Sequence, residues 1–185
     1  LHHIVWEILD NAVDEAINGH ASQIQVTLDD DLKGITIQDN GRGIPVEIHP
    51  QAGISTLLVV YTKLNAGGKF GGGGYKYSGG LHGVGAAVAN ALSESLTVRV
   101  TFEGSAWEAS FIRGVVQGEV RKVGSARGSG TKVHLRPDPT LFGQTKLDPQ
   151  ILRERLEAKS YLHKKLKLVF TDETGATQTY QHAQG

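Results

Sequence analysis

Residues 1–19 read LHHIVWEILDNAVDEAING, and the spacing of their apolar residues decides the fold that the whole sequence predicts. The apolar positions are Leu1, Ile4, Val5, Ile8, Leu9, Ala12, Val13, Ala16 and Ile17. They return every three or four residues, which is the period of an amphipathic helix with one buried face. Gly19 is a natural end point because glycine readily adopts the conformation that closes a helix. The stretch therefore predicts a helix that packs its apolar side on the domain core.

The opposite side of this helix carries an acidic and amide-bearing stripe. Glu7, Asn11, Asp14 and Asn18 fall within about one sixth of a turn of each other, and Glu15 flanks them. Exposed helix faces commonly offset carboxylates with Lys or Arg one turn away, yet no Lys or Arg occurs before Lys33. The stripe is either an ordinary solvated face or a surface that meets a cationic ligand.

A magnesium ion carrying a polyphosphate fits such a stripe, because hard cations prefer oxygen ligands and keep several waters. Asn11 is the candidate ligand through its amide oxygen, and Glu7, one turn earlier, is the candidate general base for a water. His3 lies one further turn back, where it can hydrogen-bond Glu7 and hold its rotamer. A purely structural histidine is the alternative.

The loop DNGRGIP, residues 39–45, follows a predicted hairpin built from residues 24–28 and 34–39. Asp39 is an acceptor-only group suited to the exocyclic amine of adenine, whereas a guanine carbonyl would meet like polarity. Gly41 and Gly43 allow the backbone to approach a purine, and Pro45 fixes the exit from the turn. Arg42 is expected to pair with Glu15. An ordinary turn is the alternative.

Residues 67–87 read GGKFGGGGYKYSGGLHGVGAA and run into a helical pattern. A flexible linker would be rich in Gly and Ser and would join two domains, but this stretch lies between helices of one domain. It is not a P-loop, because Phe70 follows Gly68 and Lys69 where Ser or Thr is required. We interpret it as a lid, with Lys69 and Lys76 offering charge and residues 80–85 offering amides to phosphates.

The remaining pattern predicts one α+β domain over residues 1–185. Helices are expected at residues 54–64, at 86–92 and from Asp148 and Pro149 through about Ser160. Strands at 96–102, 107–112, 118–123 and 131–137 favour an antiparallel meander, and 165–172 with 177–182 favour a closing hairpin. The architecture expected is a two-layer sandwich, a mixed and mostly antiparallel sheet covered on one face by helices.

Composition excludes several classes of protein. The 19 Lys and Arg residues balance the 19 Asp and Glu residues, which argues against a nucleic-acid footprint over the whole domain while leaving room for a local basic patch. There is no cysteine, hence no disulfide or thiolate metal site, and no apolar run approaches the length of a membrane helix. We expect a cytoplasmic fragment of a longer protein.

Five motifs, taken in order, resemble the ATPase domain of bacterial type II topoisomerase B subunits. They are EILDNAVDEA (7–16), DNGRGIP (39–45), AGGKF (66–70), YKYSGGLHGVG (75–85) and GSGTKV (128–133). Hsp90 chaperones, MutL proteins and histidine kinases share the Asn helix and glycine boxes, but GRGIP together with SGGLHGVG selects the topoisomerase branch, with gyrase B nearest. The resemblance spans the whole chain and implies the Bergerat ATP-binding fold of the GHKL superfamily.

The resemblance also implies roles for individual residues. Glu7 is the water-activating base, Asn11 the Mg²⁺ ligand, Asp39 the adenine anchor and Thr131 its partner through hydrogen bonds and water. Catalytic contributions are further implied for His3 and Lys69. Nucleotide contacts are implied for Glu15, Arg42, Gly43, Ile44, Pro45, Gly67, Lys69, Tyr75, Lys76, Leu81, His82, Gly83, Val84, Gly85 and Thr131. The implied cofactors are ATP and Mg²⁺.

In the full-length enzyme the resemblance implies a gyrase A subunit and DNA as partners, and aminocoumarins as ATP-competitive inhibitors. The N-terminal arm that embraces a second subunit and the following transducer domain are expected to lie outside this fragment, so homodimerisation needs the arm and hydrolysis by the fragment is expected to be weak. A topoisomerase IV B subunit and a non-catalytic ATP sensor are the alternatives.

Two positions depart from the family pattern. Glu108 is placed where relatives commonly carry an Arg beneath the pocket mouth, which puts inhibitor contact there in question. Residues 71–74 are four glycines where the lid usually has mixed polar residues, as in a trimmed loop.

Overall fold

The helices of the protein cover one face of a nine-stranded sheet. The computed structural model describes residues 1–63 and 85–182. The helices are α1 (His2–Ile17), α2 (Thr56–Thr62), α3 (Gly85–Ala91), α4 (Pro139–Phe142) and α5 (Pro149–Leu162). The strands are β1 (Gln23–Leu28), β2 (Ile35–Asp39), β3 (Ser93–Phe102), β4 (Ser105–Ile112), β5 (Val115–Val116), β6 (Arg121–Ser125), β7 (Gly130–Pro137), β8 (Lys167–Thr171) and β9 (Thr177–Tyr180).

The strands follow the order β5-β4-β3-β7-β2-β1-β8-β9, and β6 pairs with β4. The pairings between these strands are antiparallel except that of β1 with β8, which is parallel. The parallel pair of β1 and β8 requires a crossover connection, and the chain between β2 and β3 also crosses over β7, which lies between them. The predicted α+β sandwich with a mixed, mostly antiparallel sheet is confirmed.

Alternation along the strands explains why one face is covered and the other is polar. In β1 the side chains of Ile24, Val26 and Leu28 are buried, whereas Gln25 and Thr27 between them are exposed. Successive side chains of a strand point to opposite faces, so this period-2 pattern places the apolar set against the helices. No helix among residues 1–63 and 85–182 is long and apolar enough to span a membrane.

Helix α1 forms as its apolar spacing predicts and packs on β1, β2, β7 and α3. Its side next to α5 is fixed by three further contacts. The Asp148 backbone N–H donates to His2 Nε2 at 3.0 Å, the Arg155 guanidinium lies 4.4 Å from the Trp6 ring centroid, and Lys159 Nζ lies 3.3 Å from Asp10 Oδ1. The contacted residues of α1 are four apart, so they lie on one side of the helix. This arrangement fixes the helix that carries Glu7 and Asn11.

The predicted meander is wrong at its last strand. Strand β7 does not pair with β6 but inserts between β3 and β2. Its side chains alternate between buried and partly exposed, with Val133 and Leu135 in the core, which suits a central strand. Every residue of β6 is exposed, so this strand lies at the edge and pairs with β4 alone. The pairing of β7 with β2 brings Thr131 beside Asp39.

Candidate functional site

The two sequence signals that pointed to a ligand face one cavity. It opens between α1, the end of β2, the following loop, α2 and β7. Its lining residues are Ile8, Asn11, Ala12, Glu15, Ile37, Asp39, Ile44, Tyr61, Thr131 and Val133. Apolar walls with a few converging polar groups are the usual composition of a small-molecule site.

Asp39 ends β2 and is only 8% exposed. One of its carboxylate oxygens accepts a 2.8 Å hydrogen bond from the Gly41 backbone N–H. Burial, with a smaller contribution from the nearby Glu15 charge, raises the pKa of Asp39 to about 7, against the lowering effect of the Gly41 and Thr131 backbone hydrogen bonds. The side chain is therefore a buried acceptor whose charge changes near neutral pH.

Thr131 is the direct cross-strand partner of Asp39 and lines the same cavity. The preceding Gly130 has a φ of +155° and is packed so closely that a Cβ there would collide with the Asp39 carbonyl oxygen. Any side chain at this position would push β7 away from β2. Gly130 of the GSGTKV motif thus allows Thr131 to lie beside Asp39.

The predicted pairing of Arg42 with Glu15 is present. Arg42 Nη2 lies 2.7 Å from Glu15 Oε1, and the Arg42 backbone N–H donates to Glu15 Oε2 at 2.9 Å. The Glu15 side chain is mostly buried, so the interaction is better shielded from water than a fully exposed pair would be. It fastens the loop after β2 to α1 and holds a second carboxylate near Asp39.

The GIP part of the loop has one position that requires glycine. Gly43 has a φ of +79°, and a Cβ there would lie 3.0 Å from the Thr101 carbonyl oxygen. Ile44 is 3% exposed and forms an apolar wall of the cavity. Pro45, next along the chain, is half-buried and does not line the cavity.

Asn11 presents an amide with no protein partner among the described residues. Its Oδ1 and Nδ2 atoms are both buried, and neither makes a hydrogen bond. A buried polar atom that is left without a hydrogen bond costs about 1–3 kcal/mol, so we expect a ligand to supply the missing partner. Residues 1–63 and 85–182 contain no group of three or more His, Cys, Asp or Glu that could hold a metal ion. An amide oxygen such as Asn11 Oδ1 is among the ligand types that hard cations accept.

Glu7 lies one turn before Asn11, and its carboxylate touches Gly85 at the start of α3. A Cβ at Gly85 would overlap with Glu7 Oε2, so glycine is needed for this approach. The hydrogen bond expected from His3 to Glu7 is not among the contacts of the described residues. The His3 side chain is exposed instead, and its supporting role stays a prediction.

The predicted contacts of the glycine-rich stretch lie outside the described residues. They are those of Gly67, Lys69, Tyr75, Lys76, Leu81, His82, Gly83 and Val84. Of the contacts predicted for the glycine-rich stretch, that of Gly85 alone falls within the described part of the chain, where Gly85 is the first residue of α3.

Tyr61 lines the cavity but was missed by sequence reasoning. It belongs to α2, which is shorter than the 54–64 helix predicted from sequence. The buried Asn90 Nδ2 donates to the Tyr61 carbonyl oxygen at 2.9 Å and joins α3 to α2. A Tyr within an apolar helical pattern looks like an ordinary core residue, so no sequence signal marked it.

Glu108 is not among the residues that line this cavity in the described part of the chain. Glu108 lies on β4 and is absent from the cavity lining. Its carboxylate pairs with Arg99 at 3.0 Å and with Arg121 at 3.1 Å, on the polar face of the sheet. It alternates with the buried Ala109, which faces the helices, so it must point the other way. Its effect on inhibitor contact stays a prediction.

A sequence profile described as histidine kinase-, DNA gyrase B-, and HSP90-like ATPase matches residues 1–141. The chain belongs to this ATPase family. Within the family it is 44% identical over 185 residues to the DNA gyrase B protein of Clostridium acetobutylicum, covering all of this chain and 29% of that protein. It is 52% identical over 173 residues to the DNA gyrase B protein of Thermus thermophilus, covering 92% of this chain and 27% of that protein.

A solved structure of this ATPase family has the same fold. It is the 43K ATPase domain of Thermus thermophilus gyrase B in complex with an aminocoumarin. The TM-score is 0.84 at 42% identity, over 97% of this chain and 45% of that one. The chain thus has the fold of a gyrase B ATPase domain and spans less than a third of the length of the two gyrase B relatives.

Proposed function

We propose that the chain is the ATP-binding and ATP-hydrolysing domain of a DNA gyrase B protein, forming a single domain over residues 1–185. The observation that carries the proposal is the shared cavity, in which the buried Asp39 carboxyl and the partnerless Asn11 amide meet. An ATP molecule offers a donor for the first and a metal-bearing polyphosphate for the second. The family membership supports the same assignment.

The adenine end of the site is built on Asp39. Its carboxylate accepts from the exocyclic amine of adenine, and Thr131 beside it supplies a further hydrogen-bonding group. Ile44, Val133 and Ile37 form apolar walls on which the purine ring lies. The fixed acceptor rejects guanine, whose carbonyl would face Asp39.

The phosphate end is built on α1. Asn11 would provide an amide oxygen to Mg²⁺, which when bound would neutralise negative charge on the phosphates. Glu7 holds a water and removes its proton as the water oxygen bonds to the γ-phosphorus, and the bond to the ADP oxygen breaks. The proposal also includes contacts to the phosphates from Lys69 and the glycine-rich residues 67–85, and support of Glu7 by His3.

In the whole enzyme, ATP binding drives dimerisation of two gyrase B proteins, and the gyrase A protein and DNA are the partners in cytoplasmic DNA supercoiling. The aminocoumarin bound to the Thermus thermophilus domain indicates an ATP-competitive inhibitor class for this chain as well. Supercoiling by the full-length complex separates this proposal from a topoisomerase IV protein, which relaxes DNA, and turnover separates it from a non-catalytic sensor.

Nucleotide affinity is expected to rise with pH. The amine of adenine binds the ionised form of Asp39, whose pKa of about 7 leaves it mostly protonated at pH 6 and ionised at pH 8. The apparent Kd for a non-hydrolysable ATP analogue should therefore fall about tenfold between these values, with proton release on binding. Calorimetry at pH 7 in two buffers of different ionisation enthalpy measures the released proton. A Kd that is constant over this range would contradict the adenine role.

Magnesium is expected to tighten analogue binding through Asn11. In calorimetric titrations, Mg²⁺ should lower the Kd of the analogue about tenfold or more for the unmodified protein, and should change it little for Asn11→Ala. The matched control is Asn18→Ala on the same stripe, because Asn18 is exposed and lies outside the cavity. An unchanged Mg²⁺ dependence in Asn11→Ala would remove the ligand assignment.

A further inference from the structure

Asn90 is a fully buried polar residue that the proposed reaction does not use. It lies near the end of α3 and is 0% exposed. Its Nδ2 atom donates to the Tyr61 carbonyl oxygen at 2.9 Å, whereas its Oδ1 atom makes no hydrogen bond among residues 1–63 and 85–182. The side chain therefore gives its donor to α2 and leaves its own acceptor unmet.

The stability of α3 does not account for an asparagine here. Asparagine is a poorer helix former than alanine or leucine, and an unmet buried acceptor costs free energy. The nearby buried residues Ala86 and Ala89 are small and apolar. An apolar side chain in place of Asn90 would avoid both costs, so what the asparagine supplies is its hydrogen-bond donor.

That donor satisfies the C-terminal end of α2. The last four carbonyl groups of a helix have no partner within the helix. Helix α2 ends at Thr62, whose Oγ1 donates to the Leu58 carbonyl oxygen at 2.6 Å, and the Lys63 N–H donates to that of Val59 at 3.0 Å. The Tyr61 carbonyl oxygen takes its partner from a different helix. Asn90 is thus a cap that α3 provides for α2.

The capped residue, Tyr61, is a wall of the nucleotide cavity. It is 3% exposed and lines the cavity together with Asp39 and Ile44. Its ring centroid lies 6.2 Å from that of Phe111 on β4, so the sheet supports the ring. Helix α2 has only seven residues, and a helix this short depends on tertiary contacts to keep its place. The bond from Asn90 is such a contact.

We propose that Asn90 is a positioning residue for the nucleotide, because by capping α2 from α3 it holds Tyr61 in place as a wall of the cavity. The inference rests on the proposed function, which assigns this cavity to ATP. Asn90 itself does not touch the nucleotide, so its effect reaches the purine end through Tyr61. An ATP analogue and ADP, which share that end, should feel the effect equally.

Asn90→Leu tests the proposal, because it replaces the amide with an apolar side chain of similar size. In calorimetric titrations the Kd of a non-hydrolysable ATP analogue and that of ADP should both rise about tenfold, since the hydrogen bond that holds Tyr61 is lost. The midpoint of urea unfolding should stay close to that of the unmodified protein, because the unmet acceptor is removed together with the donor.

Ser160→Ala is the matched control. Ser160 is also 0% exposed, and its Oγ donates to the Glu157 carbonyl oxygen of α5 at 2.6 Å. It does not line the nucleotide cavity. The control variant should therefore leave both Kd values unchanged.

A double-mutant cycle with Tyr61→Leu tests whether Asn90 acts through the Tyr61 ring. Tyr61→Leu alone should weaken nucleotide binding, since it removes the ring and keeps the backbone carbonyl group. When Asn90→Leu is added to Tyr61→Leu, the Kd should change by less than about twofold, because the group through which Asn90 acts is already gone.

Asn90→Asp keeps the shape of the side chain and tests the donor separately. Burial raises the pKa of a carboxyl group, so at pH 6 the variant keeps an O–H donor for the Tyr61 carbonyl oxygen. Its Kd should match that of the unmodified protein at pH 6 and exceed it about tenfold at pH 8, where ionisation removes the donor. This comparison decides the question if Asn90→Leu does not fold.

Several results would overturn the inference. They are unchanged binding by Asn90→Leu, an equal loss with and without the Tyr61 ring, a loss confined to the ATP analogue, and an Asn90→Asp variant whose Kd relative to the unmodified protein is the same at both pH values. An equal loss in Ser160→Ala would do the same. If the unmodified protein binds neither nucleotide, the proposed function itself is removed, and this inference with it.

Discussion

Asp39→Asn is expected to weaken binding of a non-hydrolysable ATP analogue by two orders of magnitude or more. The variant keeps the size of the side chain but replaces the charged acceptor with an amide, and sites built around one hydrogen bond to a ligand discriminate by up to about 10⁴-fold. The Gly41 N–H can still donate to the amide oxygen, so the loop should keep its shape. Calorimetric titration at pH 8 measures the effect. Tight binding by Asp39→Asn would contradict the adenine assignment.

Stability separates this loss from misfolding. The raised pKa of Asp39 means that folding favours the protonated form, so this group costs the fold stability progressively as pH rises from the ordinary value of 3.8 to about 7, and no more above that. Asp39→Asn carries no charge and should be more stable than the unmodified protein at pH 8, by roughly 2–4 kcal/mol, and nearly equal to it at pH 4. Urea unfolding at the two pH values measures this. Asp30→Asn, an exposed turn residue, is the matched control and should change neither binding nor stability.

Glu7→Gln is expected to lower ATP turnover by about 10²–10⁴-fold while analogue affinity stays within a few fold. The amide has the shape of the carboxylate but cannot take a proton from water, and general-base catalysis contributes about this factor. The contact with Gly85 leaves little room for movement, so the Gln side chain should lie where Glu7 lies. Steady-state phosphate release by the full-length protein, with ATP analogue titration alongside, measures the two effects.

Glu47→Gln is the control for this change, because Glu47 is exposed and precedes α2, whereas Glu7 is partly buried on α1 against Gly85. Its turnover should equal that of the unmodified protein. Undiminished turnover in Glu7→Gln would remove the base assignment and favour a role for another group. Loss of analogue binding in Glu7→Gln would instead indicate that Glu7 supports the nucleotide and is not confined to the chemical step.

The sequence predicted five of the ten residues that line the cavity, because these five lie in short contiguous patterns. The helical period of residues 1–19 located Asn11 and Glu7 on one side of α1, and the DNG turn located Asp39 at a strand end. The alternation of apolar and polar residues predicted eight of the nine strands, all but the two-residue β5. It also predicted that one face of the sheet is covered. These features depend on local geometry, which the spacing of residue types reflects directly.

The features that sequence reasoning missed depend on which segments meet in space. Strand β7 reads like the last strand of a meander, and only its need for neighbours on both sides places it between β3 and β2. The ion pairs of Glu108 with Arg99 and Arg121 could not be predicted either, because the pairing of β4 with its neighbours is a tertiary property. The hydrogen bond expected from His3 stays a prediction for a similar reason, since helical spacing alone does not establish a side-chain contact.

The position of β7 has a consequence for the order in which the protein acquires its structure. Asp39 is synthesised about ninety residues before Thr131, yet the two are cross-strand neighbours. Until β7 emerges from the ribosome, β2 has an open edge, and β1 waits still longer for its parallel partner β8. Long-range pairings of this kind slow folding and leave unpaired edges exposed to other chains. The nucleotide pocket therefore forms late in folding. Aggregation is most expected before that, while β2 still has an open edge.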